Sequence, residues 1–219
     1  MSRTSQTDKN RIILVARGPI SMRCLGVMCL LITASGCATP WLHKMSGSGG
    51  NLTLSSQVDT ELERKASFEN GLYTLEEGKR LTMVLFDGPA ENPTRALTVR
   101  MFWRPRAART PIDPTATNAS VYYIVFRDGP VPAQVGVYSG GGFVYPYSEP
   151  GASAIKVGIW DATLRLQDAS KDFEDNLTPA TIKGRVVVHR DETGIHRQLR
   201  QLQVLIRDRL GYPKFVRTD

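Results

Sequence analysis

Between residues 52 and 192 the apolar residues occur in short runs, and Gly, Pro, Asn or Asp separates one run from the next. In "ALTVRMFWR", residues 96–104, the side chains of Leu97, Val99 and Met101 share one face at the two-residue period of a strand. Turn residues about every ten positions are typical of consecutive short strands. Because no helix-length segment separates the runs, the sequence favours antiparallel over parallel pairing.

Three of these runs give more specific predictions. The run from Val121 to Phe126 is apolar throughout, which is typical of a central strand covered on both faces. The segment "AQVGVYSGGGFVYPY" predicts two strands joined by a turn at Gly140–Gly142. In "SFENGLYTL", the pair Asn70-Gly71 predicts a tight hairpin turn.

The run "AIKVGIWDATLRLQD", residues 154–168, changes phase near its middle. Ile155 and Ile159 share one face, whereas Ala162 and Leu164 have the opposite parity. A shift of one residue sends every following side chain to the other face, so we predict a bulge or break near Trp160-Asp161. We favour a bend by which the strand crosses between two sheets, with a bulge that shapes a site as the alternative.

The C-terminal segment has helical instead of strand periodicity, which predicts an amphipathic helix over about residues 194–210. Thr193 or Asp191 can cap its start, and Gly211 can end it. Its apolar stripe is expected to dock on a sheet and leave the opposite, basic face in solvent. Binding of the basic face to an anionic membrane is the alternative. The two faces are formed by Ile195, Leu199, Leu202, Leu205, Ile206 and Leu210, and by Arg197, Arg200 and Arg207.

These patterns together predict a mainly β fold, an antiparallel β-sandwich with one C-terminal amphipathic α-helix. With 41% hydrophobic and 22% charged residues, the composition is that of a globular protein. All three cysteines lie at or before Cys37, so the rest of the chain can form no disulfide bond with itself. A domain of this size can be held together by its hydrophobic core instead.

The N-terminal part has the order of a secretory signal: basic residues, an apolar stretch, then small residues. The apolar stretch from Cys24 to Gly36 is shorter than the about 20 residues that a membrane-spanning helix needs. An uncleaved signal anchor and a cytosolic protein with an apolar tail are the less favoured alternatives. Five basic residues and one acidic residue precede the stretch, so residues 37–219 carry a net charge of +3, against +7 for the whole chain.

The four residues Ala34-Ser35-Gly36-Cys37 resemble the lipobox of bacterial lipoproteins, and the resemblance covers residues 22–38. It implies that the leader is cut between Gly36 and Cys37, that the Cys37 thiol carries diacylglycerol, and that the new amino terminus receives a fatty acid such as palmitate. In one departure from the family pattern, Ala34 occupies a position that is usually leucine. Ala38, where an aspartate would signal retention, implies the outer membrane.

This resemblance predicts three segments. Residues 1–36 are the signal peptide, with Met22 as an alternative start, and residues 37–51 are a lipidated, flexible tether rich in Gly and Ser. Residues 52–219 are the folded domain. We expect attachment to the membrane through the lipid on Cys37, contacts with other envelope proteins, and no nucleic-acid partner, because the folded part is not strongly basic.

The sequence offers little for catalysis. His43, His189 and His196 have no metal-ligand spacing, and we expect no catalytic site, no metal site and no cofactor. The favoured function is therefore a lipid-anchored, non-enzymatic binding or assembly module of the cell envelope, with its ligand and ligand-binding residues unassigned. The alternatives are a hydrolase or lyase that uses His189 with Asp161 or Asp191, and a membrane-surface binder that uses the basic helix.

Three further features have two interpretations each. The long loop at residues 104–118, with three arginines and three prolines, is expected to be solvated but could bind phosphates. The acidic segment at residues 168–176 is expected to be a polar turn instead of a calcium site. Six aromatic residues are expected mainly in the core and in cross-strand pairs, or else on a ligand surface: Tyr122, Tyr123, Tyr138, Phe143, Tyr145 and Tyr147.

Overall fold

In the computed structural model of the chain, the described residues are 47–58, 63–76, 80–103, 113, 115–128 and 133–214. The predicted signal peptide, the lipidation site and most of the predicted tether lie outside them. Within the described residues nine strands and one helix follow one another, which confirms a mainly β fold with one C-terminal helix. They are β1 (Gly49–Ser56), β2 (Glu63–Phe68), β3 (Asn70–Glu76), β4 (Arg80–Asp87), β5 (Arg95–Met101), β6 (Ala119–Arg127), β7 (Gln134–Pro146), β8 (Ala154–Ala169), β9 (Ala180–Arg190) and α1 (Glu192–Leu210).

The strands form a single sheet in the order β2-β1-β9-β3-β4-β5-β6-β7-β8, and β8 pairs with β9 in addition. Strands β3 to β9 therefore form a closed ring. All its pairings are antiparallel except the short parallel contact of β3 with β9 at Leu72–His189 and Tyr73–Arg190. A sandwich of two sheets is thus not confirmed. Closure of one sheet leaves the strands of the ring without free edges, so a second sheet is not required to protect them.

The hairpin of β1 and β2 extends the sheet beside the ring. Strand β1 pairs with Ala180–Val187 of β9, on the edge of β9 that β3 leaves free. It begins at Gly49, three residues before the domain start expected from the sequence. Leu52 and Leu54 of β1, with Phe68 of β2, are buried among the residues that fill the ring. The hairpin therefore contributes to the same core as the ring.

Two clusters of buried side chains lie on opposite faces of the sheet. The larger one fills the ring with inward-facing residues of every strand, among them Val121 and Tyr123 of β6. The smaller one lies on the outer face, where Ile124 and Phe126 of β6 meet the helix. Strand β6 is thus covered on both faces, as its uninterrupted apolar run predicts.

Helix α1 docks on the outer face of the ring. The Asp191 side chain caps its start by accepting a hydrogen bond from the Gly194 N–H at 2.8 Å, and Gly211, with φ of 83°, ends it in the left-handed conformation. The apolar stripe, including Ile195, Leu202 and Ile206, is buried, which confirms the predicted docking. Among the described residues no helix is long and apolar enough to span a membrane.

The predicted bulge in β8 is confirmed, but its expected purpose is not. The pairing of β8 with β9 shifts register between Ile159 and Ala162, so both side chains face the interior despite their opposite parity. On both sides of the bulge β8 pairs with β7 and β9. The expected crossing between two sheets is therefore wrong, because a single closed sheet keeps the strand between the same neighbours.

The glycines at 140–142 lie within a continuous β7, so the predicted turn there is wrong. Gly140 and Gly142 are required by the close approach of β8 at its bulge. A Cβ atom on Gly140 would lie 1.8 Å from the carbonyl oxygen of Thr163, and one on Gly142 would lie 2.4 Å from the Cα of Ala162. Asn70 and Gly71 likewise begin β3 and form no hairpin turn, since β2 pairs with β1 and not with β3.

Candidate functional site

A cavity of about 250 Å³ lies at the end of the ring where β5 begins and β6 ends. We call it the basic pocket, because four of its described lining residues are cationic and none of them is acidic. The hairpin, β5, β6, β7 and the segment before β9 all contribute to its walls. It is lined by Leu54, Arg64, Lys65, Ala66, Thr94, Arg95, Tyr123, Val125, Phe126, Arg127, Tyr138, Asn176 and Leu177.

Two of the four cations belong to the ring and point inward. Arg95, the first residue of β5, has the parity of Leu97 and Val99, whose side chains fill the ring. Arg127, the last residue of β6, has the parity of Tyr123, which also faces inward. Alternation along the strands therefore sends both guanidinium groups toward the cavity.

The positive charge of the pocket is only partly balanced. Arg95 Nε lies 3.2 Å from Asp87 Oδ2, and this pair is partly exposed. Within the described ranges, Arg64 and Lys65 on β2 form no ion pair with an acidic side chain. The pocket thus has a surplus of positive charge next to low-dielectric protein, where charges act more strongly than in water.

Arg127 is held in place by stacking on an aromatic ring. Its guanidinium carbon lies 4.5 Å from the centroid of the Phe173 ring. This cation–π contact orients the guanidinium group without neutralising it. Phe173 itself packs against the inner core, so the contact ties the charged group to a fixed part of the fold.

Two tyrosines from adjacent strands form the aromatic wall of the pocket. The ring centroids of Tyr123 and Tyr138 are 5.9 Å apart. The Tyr138 hydroxyl donates a hydrogen bond to Asp175 Oδ1 at 3.3 Å, and burial together with this carboxylate raises the pKa of Tyr138. Both tyrosines are therefore neutral near pH 7.

Tyr123 is only 6% exposed, and its hydroxyl has no hydrogen-bond partner in the described part of the chain. Burial raises the pKa of Tyr123, while the charges of Arg95 and Arg64 act to lower it. The hydroxyl is therefore protonated near pH 7 and can donate a hydrogen bond. The positive charges of Arg95 and Arg64 act on it. The hydroxyl is not one of the fully buried atoms that lack a partner, so it is available to a group that enters the pocket.

Asp175 stands next to the pocket but does not neutralise it. Its carboxylate accepts hydrogen bonds from the backbone N–H groups of Leu177 at 3.0 Å and Thr178 at 3.2 Å, and from the Thr178 hydroxyl. Partial burial acts to raise the pKa of Asp175, but these hydrogen bonds outweigh it and lower the pKa overall. The Asp175 carboxylate is thus hydrogen-bonded within its own turn.

The geometry does not bring His189 together with the carboxylates considered for catalysis. His189 is half-buried on β9, and its Nε2 atom is buried without a hydrogen-bond partner among the described residues. Asp191 caps the helix through Gly194, and Asp161 lies at the bulge of β8. In the described structure neither carboxylate lies within hydrogen-bond distance of His189, and His189 does not line the basic pocket.

The remaining predicted site features are separated in the fold. Gly36, Cys37 and His43 lie outside the described residues, as does most of the loop at residues 104–118. His196 is exposed on the helix. In the acidic segment, Asp168 accepts a hydrogen bond from the Tyr212 hydroxyl and forms an ion pair with Lys214. Within the described ranges no group of three His, Cys, Asp or Glu side chains could hold a metal ion.

Of the six aromatic residues considered for a ligand surface, only Tyr123 and Tyr138 line the pocket. Phe143 and Tyr145 are buried, as expected for most of this group, whereas Tyr147 is 38% exposed and contacts Tyr145 edge to face. Sequence reasoning missed all four pocket cations. A signal was present for Arg95, since it has the parity of the apolar face that "ALTVRM" defines.

The arrangement is suited to binding an anion. Comparison with known proteins gives no match: no family model, no curated protein and no solved structure is significantly similar to this chain.

Proposed function

We propose that this protein is a lipid-anchored component of the bacterial cell envelope whose folded domain is a non-enzymatic binding module. The signal-like leader and the lipobox resemblance at residues 34–37 support the anchor. The observation that carries the binding function is the basic pocket, which combines unbalanced cations with the unpartnered Tyr123 hydroxyl. By the lipobox resemblance, the outer membrane is the favoured location.

Two alternatives are less well supported by the geometry. Hydrolysis through His189 would need a carboxylate that orients the imidazole, and in the described structure neither Asp161 nor Asp191 is within reach. Binding of the basic helix face to an anionic membrane would depend on its exposed arginines alone, because the apolar stripe, with Leu202 and Ile206, is buried against the sheet. Binding at the pocket depends on neither feature.

The anchor is tested by metabolic labelling with radioactive palmitate in a bacterial host. The full chain should incorporate label and sediment with membranes, because several acyl chains give lasting attachment where one gives only marginal attachment. Cys37→Ala should lose both the label and membrane sedimentation. Cys29→Ala is the matched control, since it removes a thiol from the same segment, and it should keep both. Unchanged membrane sedimentation of Cys37→Ala would contradict the proposed anchor.

A further inference from the structure

We propose that the basic pocket binds the oxyanion of a small amphiphilic ligand, a carboxylate or a phosphate on a short apolar stem. The inference deepens the proposed binding function, on which it rests. The head would lie among the cations and the Tyr123 hydroxyl, and the stem along the apolar walls.

The cations come from two different parts of the fold. Arg64 and Lys65 belong to the hairpin, while Arg95 and Arg127 belong to neighbouring strands of the ring. A guanidinium group presents N–H donors in a planar fork that matches the oxygens of a carboxylate or a phosphate. An oxyanion between these groups would relieve their mutual repulsion, and among the described lining residues no acidic side chain competes with it.

The Tyr123 hydroxyl provides a second and independent indication of an oxyanion. Tyr123 is 6% exposed and lines the pocket, and its hydroxyl has no partner among the described residues. A ligand oxygen in the pocket can accept a hydrogen bond from this free hydroxyl, and a hydrogen bond to a charged acceptor is one of the stronger kinds. The hydroxyl of Thr94, which also lines the pocket, donates to Asp87 and makes no hydrogen bond with Tyr123 in the described structure.

The size and the walls of the pocket limit the ligand. A volume of about 250 Å³ corresponds to about eight water molecules at about 30 Å³ each. Leu54, Ala66 and Leu177 give the wall an apolar part. The pocket therefore suits an oxyanion with a stem of a few carbon atoms, or the corresponding end of a longer molecule.

The proposal is tested by ligand-observed NMR titration of the full chain, purified and held in phosphatidylcholine nanodiscs. Butyl phosphate and pentanoate are the charged probes, and pentanol is the uncharged one. Both charged probes should bind at least about tenfold more tightly than pentanol, because hydrogen bonds to a charged group are the stronger kind. Pentanol binding as tightly as pentanoate would overturn the proposal, since the pocket would then be only an apolar cavity.

Variants locate the binding in the pocket. Arg127→Gln should weaken the binding of butyl phosphate by about tenfold, Tyr123→Phe by about threefold to tenfold, and Arg127→Lys by less than Arg127→Gln. Arg207→Gln is the matched control, because it removes an exposed arginine of the helix that does not line the pocket. The affinity of Arg207→Gln for butyl phosphate should stay within about twofold of the wild-type affinity, as expected for the loss of an exposed charge.

Equal losses of affinity in Arg127→Gln and Arg207→Gln would overturn the proposal in favour of general attraction by a basic protein. Far-UV circular dichroism and a thermal melt show whether each variant is folded. If Arg127→Gln unfolds, the affinity of Tyr123→Phe, which removes only one oxygen atom, still tests the proposal. Failure here would leave the palmitate result untouched, since labelling depends on Cys37 and not on the pocket.

A final arm distinguishes the sources of the oxyanion once binding is established. Replacing part of the phosphatidylcholine by phosphatidylglycerol offers the pocket an anionic lipid headgroup. Weaker binding of butyl phosphate in these nanodiscs, with Arg127→Gln insensitive to the change, assigns the oxyanion to a lipid. Equal binding in both kinds of nanodisc assigns it to a small soluble ligand.

Discussion

Strand β5 carries an arginine near each end, and the two arginines lie on opposite faces of the closed sheet. Arg100 is on the outer face and only 6% exposed, and its Nη2 atom lies 3.1 Å from Glu76 Oε2. Glu76 also accepts a hydrogen bond from the Thr82 hydroxyl at 2.8 Å. Arg95 is on the inner face, at the basic pocket, and its pair with Asp87 is partly exposed.

The difference teaches how one residue type can serve stability in one place and binding in another. On the outer face, the charge of Arg100 is matched by one carboxylate, and the pair is largely removed from water. At the pocket, Arg95 and three further cations share a cavity whose lining, in the part of the chain that the structure describes, contains no acidic residue. A charged side chain that forms an ion pair within the fold indicates a structural role. Unbalanced positive charge beside a cavity indicates a site for a ligand.

The largest expected effect comes from removing the two arginines of β5 in turn. Arg100→Met should lower the free energy of unfolding by about 3 kcal/mol, because it leaves the carboxylate of Glu76 without its cation in a largely buried position. Arg95→Met, the same change at the other end of the strand, should cost less than about 1 kcal/mol, as is usual for a partly exposed pair. Urea denaturation followed by circular dichroism measures both. Equal losses would break the comparison.

A smaller effect is expected at Asp175, beside the pocket. Asp175→Asn should lower the free energy of unfolding by about 1.5 kcal/mol near neutral pH, because it weakens the hydrogen bonds from Leu177 and Thr178. This value allows for the exposure of the carboxylate to solvent. The pKa of Asp175 lies below its ordinary value of 3.8 in the folded protein. The stabilisation is therefore complete above that value and is lost as the pH falls through the lower, folded pKa.

Urea denaturation at a series of pH values tests this dependence. The gap in stability between wild type and Asp175→Asn should narrow as the pH falls below 3.8. Asp172→Asn is the control, since Asp172 is exposed in the same segment and its side chain makes no hydrogen bond within the described ranges. A gap that is the same at every pH would show that the carboxylate does not act through its charge.

The smallest effect on stability is expected from two threonine hydroxyls on the outer face of the sheet. The Thr98 hydroxyl is buried and lacks a hydrogen-bond partner among the described residues, so Thr98→Val should stabilise the protein by about 0.5–1 kcal/mol. Thr82→Val, which removes the hydrogen bond to Glu76, should destabilise it by a similar amount. Thermal unfolding of the two variants should therefore give shifts of opposite sign. Shifts of the same sign would contradict the assignment of these two hydroxyls.

Local patterns predicted the individual elements well. The helix, with Asp191 and Gly211 at its ends, and the bulge near Asp161 follow from periodicity and cap residues, which act over a few positions. The glycines were misread because glycine permits a turn and a close approach between strands equally well. For Gly140 the deciding atom is the carbonyl oxygen of Thr163, which is distant in sequence.

The candidate site was less predictable than the fold class. Arg64 and Arg127 are 63 positions apart in the sequence, and neither belongs to a motif. They meet because the hairpin packs beside the ring, a relation that no local pattern contains. Cys37, the one site residue that the sequence assigns through a motif, remains a prediction, since it lies outside the described residues.

The sequence by itself determined the mainly β class and the docked C-terminal helix, because the spacing of apolar side chains along a strand or helix is a local property. Only the tertiary structure decided that β8 pairs with β9 to close the ring, and that four cations and Tyr123 surround one cavity. The physical reason is that strand pairing and the balance of buried charge depend on contacts between residues far apart in the chain. Those contacts are fixed only when the whole sheet has formed.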